Sequence, residues 1–166
     1  MKSNITLRFA PVESDPEMVR EIVTSTGFFQ DHEIPVAVEL VEERLAKGEE
    51  SGYFFVFADA DGKTVSYACF GPIPCTIGSF DLYWIATHAD YRGKGIGKDI
   101  LLAVEREVVR MNGRRIYIET SSKPLYGPTR YFYLSNGYSI EATLKDFYDI
   151  NDHKVMFSRG VLADTL

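Results

Sequence analysis

A glycine-rich stretch between an apolar run and an amphipathic run constrains this chain more than any other feature. The stretch follows the strand-like residues Leu82–Thr87, precedes apolar residues at helical spacing, and reads Arg92-Gly93-Lys94-Gly95-Ile96-Gly97-Lys98. Glycine lets the backbone bend so that several N–H groups point toward one spot. The first N–H groups of a helix lack internal partners, and the helix dipole adds positive potential there. Together with three basic side chains, this stretch predicts a site for a phosphate or pyrophosphate.

The spacing of the glycines separates this stretch from two common phosphate-binding turns. A Walker turn has a glycine five residues before a Gly-Lys pair, and His88 and Arg92 stand at those places instead. The dinucleotide pattern G-x-G-x-x-G fails because Lys98 or Ile100 replaces its third glycine. Neither common nucleotide-binding turn therefore explains the stretch.

The pattern that fits is Arg-x-x-Gly-x-Gly, formed by Arg92, Gly95 and Gly97. It resembles the pyrophosphate loop of the GNAT superfamily of N-acetyltransferases, which hold acetyl-coenzyme A (acetyl-CoA). A later segment, Phe132–Tyr138, resembles the second motif of that family, F-Y-x-x-x-G-F/Y. The resemblance implies acetyl-CoA as co-substrate, with its pyrophosphate at the glycine turn and its pantetheine arm along the backbone of the preceding strand. The implied cofactor-binding residues are Ile85, Ala86, Thr87, Arg92, Gly93, Lys94, Gly95, Ile96, Gly97 and Lys98.

Hydrophobic periodicity and turn residues predict one α/β domain with a mixed sheet over residues 1–166. A capping box at Ser14-Asp15-Pro16-Glu17 and the glycine at Gly27 bracket a first helix, and Asp61-Gly62 predicts a β-hairpin. The element order is strand, two helices, three strands, helix, strand, helix and two strands, which is also the order of the GNAT fold. The predicted strands are 5–10, 53–58, 64–70, 79–88, 115–120, 138–148 and 154–159, and the predicted helices are 15–26, 35–47, the run from the glycine turn to about 112, and 129–135.

A small set of side chains is predicted to carry the chemistry. In the family, the tyrosine that matches Tyr133 protonates the departing thiolate, a role that suits a phenol, which is neutral at pH 7. An amine must lose a proton before it attacks, and Asp81 is the first candidate base because its offset from the glycine turn matches the glutamate of histone-type members. Glu119 is the second candidate, and His32 and Glu33 are the third. A solvated Asp81 and a Glu119 paired with a basic residue are the plain structural alternatives.

The composition of the chain limits its partners. A net charge of −6 argues against general nucleic-acid binding and leaves room for a cationic acceptor. The sequence shows no apolar run long enough to span a membrane, no signal peptide and no metal-ligand spacing. We therefore predict a cytoplasmic protein that needs no metal and does not act at a membrane. A homodimer is compatible with the fold.

These features predict an acetyl-CoA-dependent N-acetyltransferase that transfers an acetyl group directly to a primary amine of a small molecule, an amino acid or a protein. The alternative is a non-catalytic acyl-CoA-binding or sensor module on the same fold. Loss of activity in Tyr133→Phe, with cofactor binding intact, would exclude the sensor. A nucleotide-binding protein of another class is a further alternative, which tighter binding of ATP than of coenzyme A would favour.

Overall fold

The computed structural model describes residues 4–161, which contain seven β-strands and four α-helices. One mixed sheet joins the strands in the order β1-β2-β3-β4-β5-β7-β6, with β4 and β5 parallel to each other. The structure confirms the predicted α/β class and the predicted order of elements. These elements are β1 (Ile5–Arg8), α1 (Asp15–Thr26), α2 (Glu33–Lys47), β2 (Phe54–Ala60), β3 (Lys63–Pro72), β4 (Ser79–Thr87), α3 (Ile96–Arg110), β5 (Arg115–Ser121), α4 (Gly127–Ser135), β6 (Ser139–Asp149) and β7 (Asp152–Gly160).

The first helix begins and ends where the sequence predicts, although its N-terminus is held differently. Gly27 ends α1 in the left-handed conformation, at a φ angle of 69°. The predicted capping box is wrong, because the Ser14 side chain makes no capping hydrogen bond. The buried Asp15 carboxylate instead accepts the N–H of Val12 at 2.6 Å and pairs with Arg8 at 2.8 Å. This ion pair ties the start of α1 to β1, which ends at Arg8 rather than at residue 10.

The chain divides into two compact units, and the first extends to Gly71 and resumes at Trp84–Arg106. Apolar side chains of α1, α2, β2 and β3 form its core, with Ala86 of β4 packed among them. β2 and β3 form the predicted hairpin, and the turn residues Asp61 and Gly62 have φ angles of 50° and 82°. Positive φ angles at both central residues are typical of the type I′ turn, which suits a tight hairpin.

The second unit comprises Pro72–Tyr83 and the chain from Glu107 onward. In it, Ser79–Leu82 of β4 runs parallel to Arg115–Ile118 of β5. β7 pairs antiparallel with β5, and β6 pairs antiparallel with β7. β6 therefore lies at the edge of the sheet, and all of its residues are exposed. The sequence predicts a single domain over residues 1–166, and this stays a prediction, since the chain divides into two compact units.

The fourth helix is longer than the sequence predicts. α4 begins at Gly127 rather than at Thr129, and Pro128 lies in its first turn. Proline is well tolerated there, because the N–H that it lacks would have no acceptor within the helix. The two extra residues follow directly on a short 3₁₀ segment, Pro124–Tyr126, in the connection where the sequence predicts no regular structure.

Candidate functional site

The glycine turn of the first unit has the backbone geometry of an anion site. Gly93 and Gly95 adopt φ angles of 71° and 83°, in the left-handed region that residues with side chains disfavour. A Cβ atom at either position would meet no atom within 4 Å, so the backbone conformation rather than crowding requires glycine. α3 begins at Ile96, and the Asp99 N–H donates to the Gly95 carbonyl at 3.1 Å. The N–H groups of residues 96–98 belong to the first helical turn, which leaves them available to an anion.

The Arg92 side chain lies against the end of α1. Its guanidinium donates to the carbonyl of Thr26 at 3.0 Å and lies 4.9 Å from the centre of the Phe28 ring. A second bond joins the same parts of the chain, because the Ala89 N–H donates to the Ser25 hydroxyl at 3.1 Å. α1 has no basic residue in its own last turn, so Arg92 supplies the positive charge that stabilises a helix C-terminus. Sequence reasoning missed this contact, since nothing local in the sequence links Arg92 to α1.

The second half of β4 carries the residues predicted to bind the pantetheine arm. Ala86 is buried, while Ile85 and Thr87 are partly exposed. The Ser66 hydroxyl donates to the Ala86 carbonyl at 2.9 Å and lies 2.8 Å from the Thr87 hydroxyl. These bonds fix the strand to β3, and the paired segment of β4 and β5 ends before these residues, at Leu82.

Tyr133 of α4 is a buried phenol in the second unit. It is 3% exposed, and its ring lies 5.5 to 6.0 Å from the ring centres of Phe132, Tyr138 and Phe157. Burial raises the pKa of Tyr133 well above its ordinary value, so that the phenol keeps its proton throughout the neutral and mildly alkaline range. Tyr131, the other tyrosine of this helix, is 72% exposed. Tyr133 is thus the buried tyrosine of α4, and its role as the acid stays a prediction.

The two carboxylates predicted as bases lie on neighbouring strands of the second unit. Asp81 of β4 is in register with Tyr117 of β5, and Glu119 follows on the same face because side chains of a strand alternate. Burial, and then the charge of Glu119, raise the pKa of Asp81, while the charge of Lys154 lowers it. The Lys154 ammonium pairs with Glu119 at 2.7 Å, and the Tyr148 hydroxyl also donates to that carboxylate. The structural alternative for Glu119, a pair with a basic residue, is therefore present in the fold.

The remaining candidate bases lie in the first unit, at the start of α2. His32 precedes α2 without capping it through its side chain, and the Glu33 carboxylate accepts the Gln30 N–H at 2.7 Å. Phe29 of the loop between α1 and α2 packs on Trp84 of β4, with ring centres 4.8 Å apart. Through these contacts, Glu33 and Phe29 hold the loop in place.

Residues 4–161 lack the features of a metal site and of a membrane-spanning helix. In that part of the chain, no three His, Cys, Asp or Glu side chains are grouped so that they could hold a metal ion. No described helix combines the length and the apolar character needed to cross a membrane.

Comparison of the chain with known protein families shows the family to which it belongs. Residues 50–140 match the family model of the acetyltransferase (GNAT) domain, which is more than half of the 166-residue chain. The chain belongs to the GNAT family of acetyltransferases. A crystal structure from Desulfovibrio desulfuricans, assigned to the same family, is 42% identical to this GNAT protein, with a TM-score of 0.94. The match covers 95% of the present chain and 99% of the Desulfovibrio chain.

More distant N-acetyltransferase structures share the fold. The ribosomal-protein-S18-alanine N-acetyltransferase of Escherichia coli is 15% identical, with a TM-score of 0.75 and coverage of 98% of this chain and 99% of its own. The PaiA N-acetyltransferase of Thermoplasma acidophilum, solved with coenzyme A, is 20% identical, with a TM-score of 0.71 and coverage of 95% and 99%. No functionally curated protein matches the chain.

The GNAT family uses acetyl-CoA, and the residues of the glycine turn fit a pyrophosphate. The turn is exposed and leads into the N-terminus of α3, where Lys94 and Lys98 are both exposed. Lys94 also donates to the Asp90 carbonyl at 3.1 Å, which keeps its ammonium beside the turn. The positive φ angles and the helix N-terminus present backbone N–H groups, and the two exposed lysines present ammonium groups. These are the donors that a diphosphate needs. This acetyltransferase therefore contains a suitable cradle for the anionic part of acetyl-CoA.

Proposed function

We propose that this GNAT protein is an N-acetyltransferase that transfers the acetyl group of acetyl-CoA directly to a primary amine. The observation that carries the proposal is the pair of carboxylates, Asp81 and Glu119, on neighbouring strands of the second unit. An alkylammonium ion is attracted to a carboxylate that is not already paired and must lose a proton to become a nucleophile. A sensor that only binds acyl-CoA has no need for a group that removes this proton.

Asp81 is our first choice for the base. Its carboxyl is partly buried, and its pKa is raised by burial and by the charge of Glu119, which brings its proton affinity closer to that needed near neutral pH. Glu119 is the second choice, because its carboxylate is already engaged by Lys154 and Tyr148. Removal of the amine proton leaves a lone pair on nitrogen, and the proton remains on the carboxylate until solvent takes it.

Tyr133 is proposed as the acid. Acetyl-CoA supplies the acetyl group as a thioester, which an amine can attack without a covalent enzyme intermediate. The buried phenol of Tyr133 holds its proton and can donate it to the departing sulfur. The proposed cofactor-binding residues are Ile85, Ala86 and Thr87 through the strand backbone, and Arg92, Gly93, Lys94, Gly95, Ile96, Gly97 and Lys98 at the glycine turn.

The acceptor is proposed to be cationic before reaction, either a small amine or the amine of a protein. The Asp81 carboxylate and the net charge of −6 support attraction of a cation, whereas the charge of Glu119 is already balanced by Lys154. The Escherichia coli structure is that of a ribosomal-protein-S18-alanine N-acetyltransferase, and its 15% identity extends the fold but not the acceptor to this chain.

A binding measurement followed by an amine screen tests the proposal. Calorimetry should show binding of acetyl-CoA to the purified protein and none of ATP or NAD at the same concentrations. Release of free thiol from acetyl-CoA, followed across a library of primary amines, amino acids and peptides, should then identify acceptors. Acetyl-CoA binding without acetylation of any amine would favour the sensor, and the absence of acetyl-CoA binding would refute the cofactor assignment.

A further inference from the structure

The edge strand β6 contains an irregular segment that the sequence does not predict. Its register with β7 shifts once between Ile140 and Ala142, and the pairing then continues to Leu144, opposite Lys154. The pairing resumes only at Asp149, opposite Asp152. Residues 145–148 therefore stand opposite the single residue His153. We call residues 145–148 the β6 bulge. An extra stretch of this kind bends a strand and redirects its side chains, and such bulges occur often beside active sites.

Hydrogen bonds hold the β6 bulge in one conformation. Asp146 has a φ angle of 51°, and its N–H donates to Nδ1 of His153 at 2.9 Å. The Asp146 carboxylate accepts the N–H of Asn151 at 2.9 Å, which closes the turn to β7. The His153 N–H donates in turn to the Ser122 hydroxyl at 2.8 Å, just after β5. The bulge is thus anchored to the two strands that carry Lys154 and Glu119.

The bulge places two aromatic side chains around an ion pair. The Phe147 ring centre lies 4.3 Å from the Lys154 ammonium, and the Tyr148 hydroxyl donates to the Glu119 carboxylate. The Phe147 and Tyr148 rings contact each other edge to face, with centres 5.1 Å apart. Lys154 is only 14% exposed, which is unusual for a lysine and is accounted for by its pair with Glu119 at 2.7 Å. Each member of this cluster therefore has a partner from a different strand.

We propose that Lys154 and Tyr148 are positioning residues that hold Glu119 in an ion pair, so that Asp81 rather than Glu119 takes the proton of the acceptor amine. The inference rests on the proposed N-acetyl transfer. A proton arriving on Glu119 would cancel the charge that binds Lys154, whereas a proton on Asp81 leaves the Glu119–Lys154 ion pair intact. In the step itself an N–H bond of the ammonium breaks, an O–H bond forms on Asp81, and the electron pair stays on nitrogen.

The charged groups that face Asp81 act in opposite directions. Glu119 comes from β5 and Lys154 from β7, while Tyr148 of β6 is tied to Glu119. Burial and the Glu119 charge raise the pKa of Asp81, and the Lys154 charge lowers it. Removal of the Glu119 charge should therefore lower the titration midpoint of Asp81, and removal of the Lys154 charge should raise it. A merely structural role for the pair would not produce this reversal of sign.

The test is a carbon-13 NMR titration of the Asp81 carboxyl in the full chain, together with the pH profile of kcat/KM on an amine found by the screen. Lys154→Met should raise the midpoint, Glu119→Gln should lower it, and Lys154→Arg should restore it. Lys123→Met is the matched control, because Lys123 pairs with Asp152 at 3.4 Å in the same unit. The acid limb of the pH profile should move with the midpoint in each variant. Asp81→Asn should lower kcat/KM by about 10²–10⁴-fold, the usual loss for a general base, and Glu119→Gln by much less.

Three results would overturn the inference. The first is an Asp81 midpoint that is the same in Lys154→Met, Glu119→Gln and the wild type. The second is a midpoint that moves while the acid limb stays, because the base is then a group other than Asp81. The third is a larger loss in Glu119→Gln than in Asp81→Asn. Failure of the proposed function gives a different result, namely no acetylated amine, and the NMR titration separates this from a failure of the cluster.

Discussion

Replacement of Tyr133 by phenylalanine tests the proposed acid. The change removes one hydroxyl and keeps the ring that packs on Phe132, Tyr138 and Phe157, so the helix should stay in place. At 3% exposure, little room is left for water to supply the missing proton. General acids contribute about 10²–10⁴-fold, and a thiolate, whose conjugate acid has a pKa near 8.5, needs less help than an alkoxide. We therefore expect kcat to fall by about 10²-fold, which corresponds to about 2.7 kcal/mol.

The assay for this prediction is steady-state release of coenzyme A with an acceptor from the screen, beside calorimetric binding of acetyl-CoA. Because burial raises the pKa of Tyr133 above its ordinary value of about 10, the loss should be constant across the neutral and mildly alkaline range. Tyr131→Phe is the control, since Tyr131 is 72% exposed and should retain full activity. A Tyr133→Phe enzyme with normal kcat and normal acetyl-CoA binding would refute the role of the phenol.

Three further changes have outcomes that follow from the structure. Burial and a neighbouring carboxylate raise the folded-state pKa of Asp81, so the stability that its protonated form provides is complete below about pH 4 and is lost as the pH rises through the folded-state value. Asp81→Asn should therefore raise the free energy of unfolding in urea at about pH 8 and change it less at about pH 4.5; the reverse order would contradict the assignment. Gly95→Ala forces a φ angle of 83° on a residue with a side chain, and we expect about tenfold weaker coenzyme A binding by calorimetry, from a strain of about 1–2 kcal/mol. Gly52→Ala, at a φ angle of 76° in open space, is its control and should leave that affinity unchanged. Gly113→Ala would place a Cβ atom 2.8 Å from the Phe80 ring and should lower the melting temperature by about 2–10 °C through overcrowding of about 1–3 kcal/mol; an unchanged melting curve would show that the core relaxes there.

Local signals account for the parts of the fold that the sequence predicted well. Gly27 ends α1 in the left-handed conformation, and Asp61-Gly62 forms the hairpin turn with two positive φ angles. The glycine turn likewise lies between β4 and α3 with positive φ angles at Gly93 and Gly95. In each case the decisive interaction lies within a few residues along the chain, where backbone preferences of single residues determine the outcome.

The interactions that escaped prediction join residues that are distant in sequence. Arg92 binds Thr26, and Lys154 binds Glu119, and neither partner has a local signature. The position of β7 between β5 and β6 also depends on pairing energies that periodicity does not report. The β6 bulge did leave a trace, because the polar pair at 145–146 interrupts the alternation of apolar residues before Phe147. At such an interruption, a regular strand is a weaker prediction than a strand with a bulge.

The bond between Arg92 and Thr26 has a thermodynamic consequence for coenzyme A. Ordering a loose turn upon binding would cost about 1–2 kcal/mol of conformational entropy for each backbone residue that becomes fixed. Here the guanidinium, and the bond from Ala89 to Ser25, fasten the segment leading into the turn to α1 as the chain folds. Part of the conformational entropy of this segment is therefore lost during folding rather than during coenzyme A binding, where the loss would weaken the affinity. The stability of the last turn of α1 and the affinity for coenzyme A consequently become linked quantities, each measurable through the other.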